Sequence, residues 1–143
     1  MIELHVDEAG VLEDPWVEPP AGAYEWTQDP DTVSSAPAYI EITFERGMPV
    51  AIDGDELDPI EIVERLNELG GTHGVGRLDQ IEDRLVGIKS REIYEAPAAV
   101  ILHAAHRALE AMTLSKQQAK LKAYIANEYA ELIYNGLWFS AHH

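Results

Sequence analysis

Residues 74–97 read Gly-Val-Gly-Arg-Leu-Asp-Gln-Ile-Glu-Asp-Arg-Leu-Val-Gly-Ile-Lys-Ser-Arg-Glu-Ile-Tyr-Glu-Ala-Pro, and the fold class follows from how this run changes character. Between 78 and 94 it holds two short β-like pieces, 81–88 and 91–94, interrupted by Gly87. Pro97 then opens a helix expected to reach about Met112, because proline has the right φ for a first helical turn and no N–H to lose there. Ile101, Ala105, Leu109 and Met112 follow on one face of that helix.

Working upstream, residues 39–45 (Tyr-Ile-Glu-Ile-Thr-Phe-Glu) alternate apolar and polar, as a half-buried strand does. Arg46-Gly47 makes a turn, and 48–52 returns as a second strand, giving a hairpin that ends at Asp53-Gly54. Residues 2–6 alternate as a further short strand. Asp58 is read as an N-cap, with Pro59 at the first helical position and Glu61 closing a capping box. Ile60, Val63, Leu66 and Leu69 follow at helical spacing, and Gly70 is expected to stop the helix. Residues 13–38 hold Pro15, Pro19, Pro20, Pro30 and Pro37, so they read as an irregular arm pinned to the body by Trp16, Tyr24 and Trp26.

Working downstream, Ser115 with Gln118 forms a second capping box and starts a helix to about Tyr134, where Asn135-Gly136 ends it. Its apolar face is Leu121, Tyr124, Ile125, Tyr129, Leu132 and Ile133, and Tyr124, Tyr129 and Tyr134 are expected in the core. There are no internal repeats. Locally paired strands followed by helices predict a single α+β domain with a largely antiparallel sheet and three main helices.

Composition narrows the function classes. At 143 residues the chain is one domain by length, with enough hydrophobic content for a core. Ten Lys+Arg against 26 Asp+Glu give a formal charge of −16, which repels nucleic acid and anionic membrane surfaces. No cysteine is present, so disulfide and thiolate-metal chemistry are closed. With no apolar run near membrane-spanning length and no signal-peptide pattern, the chain reads as cytoplasmic.

Three clusters invite chemistry and yield to simpler readings. Residues 53–58 (Asp-Gly-Asp-Glu-Leu-Asp) gather carboxylates without the spacing of a calcium loop, and a hairpin turn running into a helix cap explains them better. His103 and His106 lie three apart on one helix but lack a third ligand, so no metal site is assigned. Gly70-Gly71 follows a helical pattern and reads as a helix end rather than a phosphate cradle. No nucleophile motif is present, and no catalytic residue is assigned.

Residues 74–97, together with 8–16 (Glu-Ala-Gly-Val-Leu-Glu-Asp-Pro-Trp), 18–20 (Glu-Pro-Pro) and 129–140 (Tyr-Ala-Glu-Leu-Ile-Tyr-Asn-Gly-Leu-Trp-Phe-Ser), resemble the second, citrulline-side domain of argininosuccinate synthases. These ligases join citrulline to aspartate at the expense of ATP. The resemblance implies two substrate-binding residues, Glu82 and Tyr94, at the family positions that contact citrulline. Chemically, a carboxylate accepts from the α-ammonium of an amino acid and a phenol adds a directional polar contact. The family's ATP site lies in a nucleotide-binding domain marked by Ser-Gly-Gly-x-Asp-Thr-Ser, a run these 143 residues do not contain. No cofactor is therefore expected, and the chain is expected to be inactive by itself as an enzyme.

Several positions depart from the family pattern. Where the family has His-Ile-Ser-Tyr-Glu-Ala-Gly, residues 5–10 are His-Val-Asp-Glu-Ala-Gly, so the citrulline-holding Ser falls on Val6 or is deleted. Glu92 stands for Gly, Ala96 for Thr, and residues 97–100 (Pro-Ala-Ala-Val) replace Pro-Ala-Gly-Thr. Such changes suit a trimmed, engineered fragment, binding citrulline weakly at best, and His142-His143 reads as a tag remnant. The alternative is a stabilised scaffold or association module with no small-molecule role. Surface that faces another domain in the family is expected to drive a homodimer, through the helix over 121–133 or the Trp138-Phe139 end.

Overall fold

The structure, a computed structural model, describes the backbone of residues 2–3 and all of residues 12–33 and 36–141. The block at 5–10, the Val6 position and His142-His143 lie outside the described residues. The chain divides into two compact units, Met1–Ala105 and His106–His143. Both sheets lie in the first unit, and every strand pairing is antiparallel. The fold class is α+β, with three helices, as the sequence predicts.

One sheet is built from β1 (Ile2–Glu3), β5 (Arg77–Asp83) and β6 (Lys89–Glu95), in the order β1-β6-β5. The other is a meander of β2 (Ile42–Glu45), β3 (Met48–Ile52) and β4 (Asp55–Glu56). Where one largely antiparallel sheet was expected there are two, because the added β4 continues the first hairpin while β5 and β6 pair only with each other and β1. Both turns of the meander have a residue and a glycine at positive φ, Arg46-Gly47 and Asp53-Gly54, the geometry that matches strand twist in two-residue hairpins.

The clustered carboxylates at 53–58 are spent on this local structure. Asp53 accepts from the Glu41 N–H at 2.8 Å, Arg65 reaches Asp55 at 3.2 Å, and Asp58 caps α1 (Pro59–Thr72) through the N–H groups of Ile60 and Glu61. Glu61 returns the bond to the Asp58 N–H, completing the predicted capping box.

α1 corrects the sequence reading in two ways. Its buried face is Ile62, Leu66, Gly70 and Gly71, whereas Ile60 and Val63 face solvent. The helix runs through both glycines to Thr72 instead of stopping at Gly70. The glycines belong to the packed face: a Cβ on Gly70 would lie 2.7 Å from the Pro97 Cβ, and one on Gly71 would lie 2.4 Å from the Trp26 carbonyl oxygen. Small residues there let α2 (Pro97–Thr113) and the proline-rich arm approach closely.

The core of the first unit is Ile52 from β3, Ile62 and Leu66 from α1 and Ala98 from α2, flanked by Ile40, Ile42, Leu57, Ile101 and Leu102. Ala98 also donates its N–H to the Asn67 side chain at 3.0 Å, tying the start of α2 to α1. Ala96, Pro97 and Ala98 are all buried at the start of α2.

In the second unit, α3 (Lys116–Tyr134) carries the Ser115/Gln118 capping box and ends at Asn135, as predicted. None of its residues is buried. Tyr124, Tyr129 and Tyr134 are exposed rather than in the core.

Candidate functional site

β5 and β6 pair in a regular antiparallel register that sets Glu82 opposite Ser90, Gln80 opposite Glu92 and Leu78 opposite Tyr94. Side chains two apart along a strand share a face, so these six lie together on one side of the hairpin. The strand over 81–88 stops sooner than expected. β5 ends at Asp83, and residues 84–88 form the connecting turn, closed by the Arg84 N–H to the Ile88 carbonyl at 2.9 Å and the Gly87 N–H to the Arg84 carbonyl at 2.7 Å. Leu85, Val86 and Ile88 are thereby exposed at its tip instead of lying in a strand.

On the shared face the Tyr94 hydroxyl donates to Glu82 Oε1. The two residues stand four positions apart along the sheet, and their long side chains lean together to close the gap. Gln80 Nε2 also donates to Glu82 Oε1 at 3.2 Å. Arg84 completes the network: its Nε donates to Ser90 Oγ at 2.9 Å, one terminal nitrogen to Glu92 Oε1, and the other lies 3.7 Å from Glu82 Oε2. The hydrogen bond to Glu92 holds the guanidinium above its ordinary pKa, with the charges of Glu92 and Glu82 adding to it against partial desolvation. Two carboxylates against one guanidinium leave this face anionic, suited to a cationic group such as an ammonium. The structure thus brings Glu82 and Tyr94, both singled out from sequence, into direct contact.

The opposite face holds what sequence reasoning missed. Glu95 is fully buried and accepts from the backbone N–H groups of Glu25, Trp26 and Thr27 and from the Thr27 hydroxyl, at 2.6–3.1 Å. Arg77 donates to the Thr27 hydroxyl and carbonyl at 2.8 and 2.9 Å and stacks 3.8 Å over the Tyr24 ring. Arg91 grips Asp79 with two hydrogen bonds and also donates to the carbonyls of Asp14 and Val17. Three polar side chains, one on β5 and two on β6, therefore fasten the arm. Tyr24 takes part through its ring, whereas Trp16 is 93% exposed and anchors nothing. The signal in the sequence was the odd-numbered register Arg77, Asp79, Arg91, Glu95, charges alternating with the Glu82/Tyr94 face on the same two strands.

Beneath the arm, a cleft of about 570 Å³ is lined by Glu18, Pro19, Ala21, Tyr24, Asp29, Pro30, Asp31 and Arg77. Three carboxylates face one guanidinium there, and the guanidinium is already engaged with Thr27 and Tyr24. The histidine pair on α2 does not gather ligands: His103 is exposed, and His106 Nδ1 sits 3.1 Å from Glu110 Oε1. Among the described residues no three His, Asp or Glu side chains are grouped to hold a metal ion, and no helix is long and apolar enough to cross a membrane.

The family model of the arginosuccinate synthase C-terminal domain matches residues 3–143. The chain belongs to that family. Argininosuccinate synthase of Dehalococcoides mccartyi strain 195 is 55% identical over 134 residues, 94% of this chain and 33% of that protein. The enzyme of Pelodictyon phaeoclathratiforme is 57% identical over 133 residues, covering 93% of this chain and 33% of its own length. That of Methanopyrus kandleri is also 57% identical over 133 residues, 34% of its length. The chain spans about a third of the length of the curated relatives it matches. At the candidate site Glu92 supplies a partner of Arg84.

Proposed function

We propose that these residues form the citrulline-side wall of an argininosuccinate synthase site, with Glu82 accepting from the substrate α-ammonium and Tyr94 adding a polar contact. The observation that carries this reading is the Tyr94 hydroxyl on the Glu82 carboxylate, on an anionic face of β5 and β6, in a chain of this family. A carboxylate oriented by a phenol is a preformed acceptor for an ammonium group. The site is assigned to the cytosol, and ATP and aspartate to residues outside these 143.

By itself the 143-residue chain is inert as a ligase and binds citrulline at millimolar strength or not at all. Affinity for a small zwitterion comes from several convergent polar groups in a cleft, and two contacts of roughly 0.5–3 kcal/mol each barely offset an association cost of at least ~4 kcal/mol. A second reading, a scaffold without a ligand, draws support from Arg84, which joins the Glu82 face to Glu92 and fills part of it from within.

Citrulline titration followed by amide chemical shifts separates them. Shifts confined to 80–84 and 90–94, lost in Glu82→Gln, support the citrulline wall. Shifts nowhere at tens of millimolar leave the scaffold. A micromolar dissociation constant abolished by Glu82→Ala would overturn the claim of weak binding.

A further inference from the structure

α3 ends on Asn135-Gly136, the single place in the chain where glycine follows asparagine; Asn67 and Asn127 are each followed by glutamate. The side-chain amide carbon of an asparagine is open to attack by the backbone nitrogen of the next residue. The attack is easiest when that residue is glycine, which has no Cβ in the way. A bond forms between the Gly136 nitrogen and Asn135 Cγ, the Cγ–Nδ2 bond breaks, and ammonia leaves with the proton of the Gly136 nitrogen. The product is a succinimide. Water then opens the ring at Cγ, giving aspartate, or at the main-chain carbonyl, giving isoaspartate with the chain routed through the side chain.

The end of α3 restrains this reaction. Asn135 is the C-cap, with φ −77° and ψ 3°, and Gly136 follows at φ +69°. The Gly136 N–H donates to the Ile133 carbonyl at 3.0 Å and the Leu137 N–H to the Leu132 carbonyl at 2.9 Å, the two bonds of a Schellman end. The attacking nitrogen is thus engaged, and a ψ near zero turns it away from the Asn135 Cβ. The target is not engaged. Asn135 is exposed, and among the described residues none hydrogen-bonds its side-chain amide. Asp53-Gly54 makes the contrast: the Asp53 carboxylate accepts from the Glu41 N–H at 2.8 Å and lies 3.8 Å from Arg65. An ionised, hydrogen-bonded carboxylate is a poor target for a backbone nitrogen.

We propose that Asn135 is a self-modifying site guarded by the closed end of α3, converting to aspartate and isoaspartate through openings of that end. α3 has no buried residue, so its last turn opens at low cost and the opening sets the rate. Loss of ammonia makes the change one-way. Aspartate places a negative charge beside the last carbonyls of the helix, the end where it is unfavourable. Isoaspartate adds a methylene to the main chain and moves the Gly136 and Leu137 N–H groups out of register with Ile133 and Leu132. Either product loosens α3 from its C-terminal end.

Ageing the 143-residue chain in mildly alkaline buffer, beside a synthetic peptide of residues 129–140, tests this by peptide mass spectrometry and enzymatic methylation of isoaspartate. A gain of about 1 Da is expected at Asn135, mostly as isoaspartate, with Asn67 and Asn127 unchanged and no isoaspartate at Asp53. The folded chain is expected to convert several-fold more slowly than the peptide. Ser115→Ala, which removes the N-cap of α3, should speed conversion about fivefold, and Asn127→Ala, a better helix former, should slow it about threefold. Circular dichroism checks that each variant keeps its helices. Asn135 intact when the peptide has fully converted, conversion as fast in the folded chain as in the peptide, one rate in wild type and both variants, or equal conversion at Asn127 would each overturn the proposal.

Discussion

Thr27 donates both its backbone N–H and its hydroxyl to the Glu95 carboxylate, at 2.7 and 2.6 Å, across 68 residues of sequence. With the N–H groups of Glu25 and Trp26 added, one buried carboxylate satisfies three successive backbone donors of a segment with little regular structure of its own. Buried donors of this kind are costly when unpaired. Glu95→Ala is therefore expected to lower stability by roughly 2–4 kcal/mol in urea unfolding at pH 7.

The same contact sets a pH dependence. Burial pushes the Glu95 carboxyl up, and the accepted hydrogen bonds from Thr27, Trp26 and Glu25 together push it further down, so it titrates below its ordinary value in the folded chain. A depressed folded pKa means that the unfolded state takes up the proton first as pH falls. This stabilisation is complete above the unfolded value of about 4.3 and is lost as pH falls through the lower, folded pKa. The stability gap between wild type and Glu95→Gln should be constant from pH 7 to 5.5 and shrink toward pH 3. A gap that widens in acid would contradict the assignment.

Arg91 holds the other end of the arm. Its side chain is 7% exposed and splits its donors between Asp79 and two arm carbonyls, Asp14 and Val17. Lysine keeps the charge but not the planar fork. Arg91→Lys is expected to speed proteolytic cleavage within residues 12–24 several-fold while leaving the far-ultraviolet circular dichroism unchanged. Equal cleavage rates would show that the arm is held without it.

Gly71 and Gly22 make a matched pair. Helix propensity alone favours alanine over glycine inside α1 by about 1 kcal/mol. At Gly71, however, the new methyl would meet the Trp26 carbonyl oxygen at 2.4 Å, and the Gly71 carbonyl accepts from the Gln28 N–H at 2.9 Å, so the arm must shift. Gly71→Ala is expected to destabilise by roughly 1–3 kcal/mol. Gly22 has nothing within 4 Å of its added Cβ, and Gly22→Ala should be neutral or slightly stabilising. Thermal melts of the two variants check the contrast.

What the sequence made legible was local. The hairpin at Arg46-Gly47, both capping boxes and the end of α3 at Asn135 each rest on a short chemical signal, and each stands where that signal puts it. The misreadings concern partners that are distant in sequence. Gly70-Gly71 reads as a stop until Pro97 and Trp26 are seen against it, and the stripe Ile60, Val63, Leu66 and Leu69 shares only Leu66 with the buried face through Ile62 and Leu66. Trp16, Tyr24 and Trp26 suggested aromatic anchors for the arm because such residues usually bury themselves, and Tyr24 does take part, under Arg77. The actual anchors, Glu95, Arg77 and Arg91, are charged and act through backbone groups, which carry no side-chain signature. At the candidate site Glu82 and Tyr94 were found by family resemblance, whereas the roles of Arg84 and Glu92 required the register of β5 against β6.

The two units should also differ in local stability. The buried core of Ile52, Ile62, Leu66 and Ala98 lies in the first, while α3 has no buried residue. A 19-residue helix with no buried residue gains little from packing and leans on its caps. In a 10 μM solution, amides of α3 are expected to exchange hydrogen faster than those of α1, and Ser115→Ala, a cap worth about 1 kcal/mol, should accelerate α3 about fivefold while α1 is unaffected. Protection in α3 equal to that in α1 at 10 μM would show that the helix is held as firmly as the core.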